Sequence, residues 1–196
     1  MNIVGHYCRL TTLALAAMLA ACSSTKPTLY TIATVSGAEH NNTPKVILLQ
    51  QIGLERYLER SQIVRSSENY RLDVMENDWW GEPLSAMLAR VLVSELGQRL
   101  PQSIIISEGG AVSATPDATI SLNVQRLDED ASGKLVLQAQ AGVNFKGRGV
   151  PALQGFRFTV PPSAPGIPAE VAAMSTAVGQ LADGLAMMIA SGPTGR

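Results

Sequence analysis

The chain has 196 residues, a length that suits one domain and is short for two. Its 15 basic and 16 acidic side chains leave a net charge of −1, and only 16% of the residues are charged. This composition has no basic excess, which argues against a nucleic-acid-binding protein. The longest uncharged apolar run, Leu10 to Ala21, has twelve residues, whereas a membrane-spanning helix needs about 20.

The first 22 residues have the order of a secretory signal peptide. Arg9 precedes the apolar run, which ends in small residues, as expected for the charged, apolar and cleavage regions of a signal. The last four residues, Leu19-Ala20-Ala21-Cys22, resemble the lipobox of bacterial lipoproteins, in which the cysteine sulfur is acylated and the chain is cleaved before it. We therefore predict a signal peptide over residues 1–21 and lipidation of Cys22. The alternative is an ordinary secretory signal followed by a free cysteine.

Acylation of Cys22 would anchor the protein to a membrane without a spanning segment. Two acyl chains of the palmitate type are enough for stable anchorage. Because the residue after the cysteine sorts bacterial lipoproteins, the resemblance implies that Ser23 directs the chain to the periplasmic face of the outer membrane. Cys8 leaves with the signal, so the mature domain has no thiol for a disulfide.

The mature chain begins with a polar segment. Residues 22–44 are rich in Ser, Thr, Asn and Pro, a composition that predicts a tether. Within this segment, residues 28–32 contain β-forming side chains and are a candidate first strand. The folded domain is predicted over residues 45–192.

Strand patterns recur through this domain. Some are continuous apolar runs, typical of buried strands, and others alternate as in a strand with one solvent-exposed face. Short connections between the last three favour an antiparallel meander. The predicted strands are 46–49, which is central, 63–64 and 70–76, which form a hairpin, 104–106, which is buried, and 118–125, 134–146 and 156–160.

Two segments have the spacing of amphipathic helices. From Pro83 to Leu100 apolar residues recur every three or four positions, with Glu95 and Arg99 on the polar face. From Pro168 to Ser191 the larger apolar residues form a seam, and the remaining surface is small and nearly uncharged. The second helix packs on the sheet or the first helix, or it forms a subunit contact that predicts a homo-oligomer.

The predicted fold class is therefore α+β, a single domain with a mixed or antiparallel sheet of about six to seven strands and two main helices packed on it.

Few residues of this domain are of the types that form common catalytic sites. The single histidine of the mature chain, His40, lies in the tether. Without a second histidine or a free thiol, a standard zinc site, a Ser-His-Asp triad and a Cys-His pair are excluded. We predict no catalytic residue, metal or cofactor.

A run of residues before the first helix resembles a known family. Tyr57 to Arg65 reads Tyr-Leu-Glu-Arg-Ser-Gln-Ile-Val-Arg, and Trp80-Gly81-Glu82-Pro83-Leu84 follows. Within residues 53–92 these motifs resemble the ABC-type transport auxiliary lipoproteins. The departures are Glu59, Ser61 and Gly81, where the family pattern has Asp, Pro and Ala.

The resemblance implies a non-enzymatic periplasmic component of an ABC-type lipid transport system. Its expected partners are an MCE-type protein and the associated permease and ATPase, and its expected role is to dock to the MCE protein or to bridge it to the outer membrane. The alternative function is a lipid-binding or envelope-assembly lipoprotein that holds an acyl chain itself.

Six residues are candidates for partner binding. Tyr57, Arg60, Gln62 and Arg65 either contact a partner or hold the hairpin together by local hydrogen bonds. Trp79 and Trp80 are adjacent, and neighbouring strand residues point to opposite faces. We therefore expect one Trp in the core and the other exposed, where it would be a partner or lipid anchor.

Overall fold

The computed structural model describes residues 26–68 and 70–192. The predicted signal peptide and Cys22 lie outside these described residues. In chain order the elements are β1 (Thr28–Tyr30), β2 (Val46–Leu49), β3 (Gly53–Leu54), a 3₁₀ helix (Arg56–Glu59), β4 (Gln62–Glu68), β5 (Arg71–Trp80), α1 (Leu84–Arg99), β6 (Ile104–Ser107), β7 (Ala118–Glu129), β8 (Leu135–Phe145), β9 (Ala152–Val160) and α2 (Ile167–Ala190). The predicted α+β class is confirmed. The nine strands of the described chain exceed the expected number because β1 and β3 are very short.

The main sheet has the strand order β6, β2, β7, β8, β9, and β3 also pairs with β7. As its continuous apolar run predicts, β2 is central, with a parallel neighbour on each side. The last three strands form the predicted antiparallel meander. The prediction of a fully buried strand at 104–106 is wrong, because β6 is an edge strand. Ile104 is 65% exposed there, and Ile106 is buried.

Both helices pack on one face of the main sheet and on each other. The predicted seam of α2 is buried throughout, and its members are Val171, Met174, Val178, Leu181, Leu185 and Met188. The small residues beside the seam are buried as well, because Gly184 lies against the Phe156 ring of β9 and Gly179 against Val35. Packing within the chain therefore accounts for the low charge of α2. The homo-oligomer prediction, which rested on that low charge, loses its basis in this helix.

Among the described residues, α2 is also the helix long and apolar enough to cross a membrane. Its most apolar window is 72% buried inside the domain. A helix whose apolar surface is already covered by a sheet and another helix behaves as the core helix of a globular domain.

A second sheet of three strands, in the order β1, β5, β4, stands beside the main one. The predicted hairpin is confirmed, since β4 and β5 pair antiparallel. β1 lies on the other side of β5 and runs parallel to it, with Thr28 opposite Asp78. The candidate strand in the polar N-terminal segment therefore exists.

The tether prediction is wrong from residue 28 onward. After β1, residues 31–43, here called the strap, follow the groove between the two helices. Ile32 is buried, the Val35 N–H donates to Glu95 Oε1 at 2.7 Å, and the His40 N–H donates to the Arg99 carbonyl oxygen at 2.7 Å. The composition of the strap resembles a linker because groups of the two helices, mostly side chains and not a sheet, satisfy its backbone hydrogen bonds.

The packing of α2 on β9 can be tested with a pair of glycine variants. A Cβ atom at Gly184 would overlap the Phe156 ring, so Gly184→Ala is expected to lower the free energy of unfolding by about 1–3 kcal/mol. At Gly97 in α1 a Cβ meets nothing within 4 Å, so Gly97→Ala is expected to raise it by up to ~1 kcal/mol. Urea unfolding of both variants checks this. Equal shifts of the same sign would contradict the described packing.

Candidate functional site on the open face of the main sheet

Tyr57 ties the 3₁₀ helix to the main sheet. Its hydroxyl donates to Asp128 Oδ2 at 2.5 Å, and the Asp128 carboxylate, which is fully buried, also accepts from Arg126. Burial, followed by the hydrogen bond to Asp128, raises the pKa of Tyr57. Tyr57 is therefore a protonated donor within the fold, and its hydroxyl joins residues 71 positions apart.

Arg65 makes a longer connection. Its Nε lies 2.6 Å from Glu170 Oε2 in α2, and its Nη2 lies 3.8 Å from Glu129 Oε2 in β7. The Glu170 side chain is fully buried, and this burial raises the pKa of Glu170 against the opposing effect of the Arg65 guanidinium. Arg65 thus joins the hairpin to the long helix, whereas the sequence analysis considered only local contacts or a partner.

The remaining predicted residues lie around the base of the hairpin. Trp80 is in the core at 7% exposure. Trp79 is partly buried, and its indole N–H donates to the Glu76 carbonyl oxygen at 2.8 Å. Gln62 is opposite Trp79 in the register and partly buried, while Arg60 is exposed. A role of Arg60, Gln62 or Trp79 in partner binding stays a prediction.

A buried charge cluster that the sequence analysis missed holds the strap. Arg99 is fully buried, and its guanidinium donates to Asp183 Oδ1 at 2.6 Å and to the carbonyl oxygens of Val35 and Gly179. Glu95, also buried, accepts from the strap, and desolvation raises its pKa. Their assignment to a polar, exposed helix face was wrong because the strap covers that face.

Among the described residues no helix packs on the other face of the main sheet, and this face holds a groove of about 840 Å³. Outward-facing residues of three strands form most of its surface. They are small or carry amides, and they include Ser121, Asn123, Gln140, Gly142, Asn144 and Gly155. Across the described chain, none of the side chains that line this groove is charged. The groove therefore offers hydrogen-bonding amides without titratable groups.

One rim of the groove is apolar and lies at a free sheet edge. Leu153 in β9 is 78% exposed, and its side chain covers Gly142 so closely that a Cβ there would be 3.0 Å from Leu153 Cδ2. On its other side β9 has no strand partner in the described chain, and residues 149–156 contain no charge. Natural edge strands are commonly protected by charges, so this edge is suited to pairing with another polypeptide.

One feature of the sequence points to this face. In β7 and β8 the alternating polar residues are amides and hydroxyls, where a solvated sheet face more often carries charges, although the same alternation is also typical of an ordinary solvated face. Among the described residues, no three His, Cys, Asp or Glu side chains are placed to hold a metal ion. What the surface can do chemically is to hydrogen-bond and pack against a polypeptide.

The α+β fold of this domain is shared by solved proteins. One, a crystal structure of an uncharacterized protein, has a TM-score of 0.71 and 17% identity, covering 83% of this chain and 98% of that one. A Xanthomonas campestris protein of family DUF330 has a TM-score of 0.67 and 18% identity, covering 81% and 92%. These likenesses show the fold.

The family follows from the sequence itself. The model of the ABC-type transport auxiliary lipoprotein component matches residues 28–186, and the chain belongs to this family. The resemblance of its motifs to that family is confirmed. No curated protein matches the chain. The match begins at Thr28, the first residue of β1, so β1 and the strap fall inside the family domain.

The structural role of Arg65 leads to a stability prediction. Arg65→Met leaves the Glu170 carboxylate buried without its cation, which is expected to cost about 3–5 kcal/mol. The double variant Arg65→Met, Glu170→Leu is expected to recover most of that loss. Arg71, whose exposed guanidinium lies 3.0 Å from Asp73, is the matched control, and Arg71→Met should cost less than ~1 kcal/mol. If urea unfolding gives equal losses for the two single variants, Arg65 does not carry this structural role.

The buried Glu170 carboxyl group leads to a prediction of how the free energy of unfolding depends on pH. Because burial raises its pKa above the ordinary 4.5, the folded state binds this proton more tightly than the unfolded chain. The resulting stabilisation is complete below the ordinary value and is lost as the pH rises through the raised pKa. Relative to Glu170→Gln, the wild-type free energy of unfolding should therefore fall with increasing pH. Urea titrations of both proteins over a pH series measure this difference, and a pH-independent difference would contradict it.

Proposed function

We propose that the chain is a non-enzymatic, lipid-anchored periplasmic component of an MCE-linked ABC-type lipid transport system. Acyl chains on Cys22 hold it at the outer membrane, and its open sheet face docks to the MCE-type protein that works with the permease and ATPase. The single observation that carries the proposal is the family match over residues 28–186. The uncharged groove is the surface that we propose for this docking.

The composition of the open face favours a protein partner. A groove of about 840 Å³ is large enough for several side chains or a segment of extended polypeptide. Its amides can pair with backbone groups, and the free edge of β9 can add a strand while Leu153 packs on the incoming side chains. The interaction would need no change in protonation, because the lining carries no titratable group.

The interior gives no support to the alternative in which the domain encloses an acyl chain. The void among Leu58, Trp80 and Met174 has a volume of about 10 Å³, which is the space of a single water molecule. The larger groove is open to solvent, so an acyl chain lying in it would keep one side in water. Docking therefore fits the geometry better than lipid storage.

Site-specific photocrosslinking in cells tests the docking face. A photoreactive residue at Leu153 is expected to capture the MCE-type protein. The matched control is Met187, which is 55% exposed on α2, on the helix-covered side, and it should yield no such adduct. Mass spectrometry identifies the captured chain. Capture at position 187 and not at 153 would overturn the proposed face, and recovery of a different stable partner at 153 would overturn the MCE link.

A further inference from the structure

Because the fold begins at Thr28, a short linker limits how far the domain can lie from its membrane. If Cys22 carries the lipid, as the proposed function states, five residues, 23–27, lie between it and Thr28, the first residue of β1. The six steps from Cys22 to Thr28 span at most about 20 Å when the chain is fully extended. The start of β1 therefore lies within about 20 Å of the bilayer surface, a distance smaller than the domain itself.

The direction of β1 shows which end of the domain faces the anchor. β1 runs parallel to β5, with Thr28 opposite Asp78 and Tyr30 opposite Trp80. The residues that precede β1 therefore leave in the direction of the start of β5, where the hairpin turns. From Asp78 back to Leu72 is also six steps along the strand, or ~20 Å. A linker of this length therefore allows the acylated cysteine to reach the level of Leu72, so that the hairpin end can lie at the bilayer.

That end of the hairpin carries an apolar patch, defined here by Tyr70, Leu72 and Val74. Their exposed fractions are 89%, 46% and 39%. Leu72 and Val74 are two apart in β5 and share one side of the strand, and Tyr70, in the turn before β5, lines the same cleft as Leu72. The charges nearby are balanced, because Arg71 and Asp73 form an exposed ion pair at 3.0 Å and the cleft beside Leu72 contains both Arg126 and Asp130.

We propose that the hairpin patch rests in the interface of the membrane that holds the acyl chains of Cys22. Tyrosine suits this position, because its ring is apolar and its hydroxyl remains hydrated at the level of the headgroups. Leucine and valine beside it enter the outer acyl region. With the lipid as one attachment and the patch as the other, the domain has a fixed orientation and its groove a fixed height above the bilayer.

The bilayer is the occupant that the chain length favours. A second copy or a soluble partner could cover the patch only if the short linker left room between the hairpin end and the membrane. The contact adds little to the anchorage that acyl chains already give. Its effect is on orientation, so the test must measure depth and not affinity.

Labelling of the acylated full chain in vesicles tests this proposal. Cys8 is removed and Cys22 is alkylated under the proposed function, so a single new cysteine is the only thiol. An environment-sensitive fluorophore is placed at Tyr70→Cys or Leu72→Cys. The control is Leu153→Cys. Leu153 is exposed and pairs with Gly142, near the C-terminal end of β8. The proteins are reconstituted into vesicles of phosphatidylethanolamine and phosphatidylglycerol, with or without nitroxide-labelled lipid.

Nitroxide lipid is expected to reduce the fluorescence at positions 70 and 72 about twofold or more, since an interfacial residue lies within ~5–10 Å of the headgroup boundary. The label at position 153 should be unaffected. A protein that floats with the vesicles but is unquenched at 70 and 72 overturns the hairpin contact while leaving the lipid anchor intact. A protein that does not float with the vesicles overturns the anchor and the contact together. Tyr70 is almost fully exposed, so Tyr70→Cys is expected to leave the fold intact. If Leu72→Cys fails to fold, Tyr70→Cys alone still tests the contact.

Discussion

The requirement that α2 be covered on nearly every side organises this protein. Sixteen of its 24 residues are buried, and no single neighbour could cover so much apolar surface. The main sheet, α1 and the strap each take part. The strap is needed because α1 leaves a groove beside Gly179, into which Val35 fits. The two helices together occupy one face of the main sheet, α2 on β7, β8 and β9 and α1 at β6, so the opposite face is the one that we propose for a partner.

Ion pairs in which one partner is fully buried join the separate parts of the fold. The pair Arg65–Glu170 connects the hairpin to α2, and Arg99 with Asp183 connects both helices to the strap. A buried pair gives little net stability, but removal of one partner is costly because the other charge stays in a poorly solvated place. Such pairs therefore fix the position of an element more than they strengthen it. The motif that identifies the family includes Arg65, and in this structure its contact is with the protein's own core.

Because the strap packs between the helices, the domain is not joined to its predicted anchor by a long flexible tether. A tether to residue 44 would let the domain move far from its membrane. With the fold beginning at Thr28, only a short stretch connects the predicted lipid to β1, and in our proposal the hairpin end faces the bilayer. The groove would then have a defined orientation with respect to the membrane. For the docking that we propose, such an orientation would restrict the approach of the partner and reduce the entropy lost on docking.

The sequence by itself determined the elements whose cause is local. Period-two alternation defined β7, β8 and β9, helical spacing defined α1 and α2, and one continuous apolar run marked β2 as central, because each pattern reflects which side of a segment is buried. Only the tertiary structure decided the course of the strap, the burial of Glu95 and Arg99, and the partners of Tyr57 and Arg65. The hydrogen bonds described for them join residues 59 to 105 positions apart, and local periodicity records that a side is covered but not which distant segment covers it. The open groove could not be predicted for the same reason. A polar strand face has the same sequence pattern whether it contacts water or a partner.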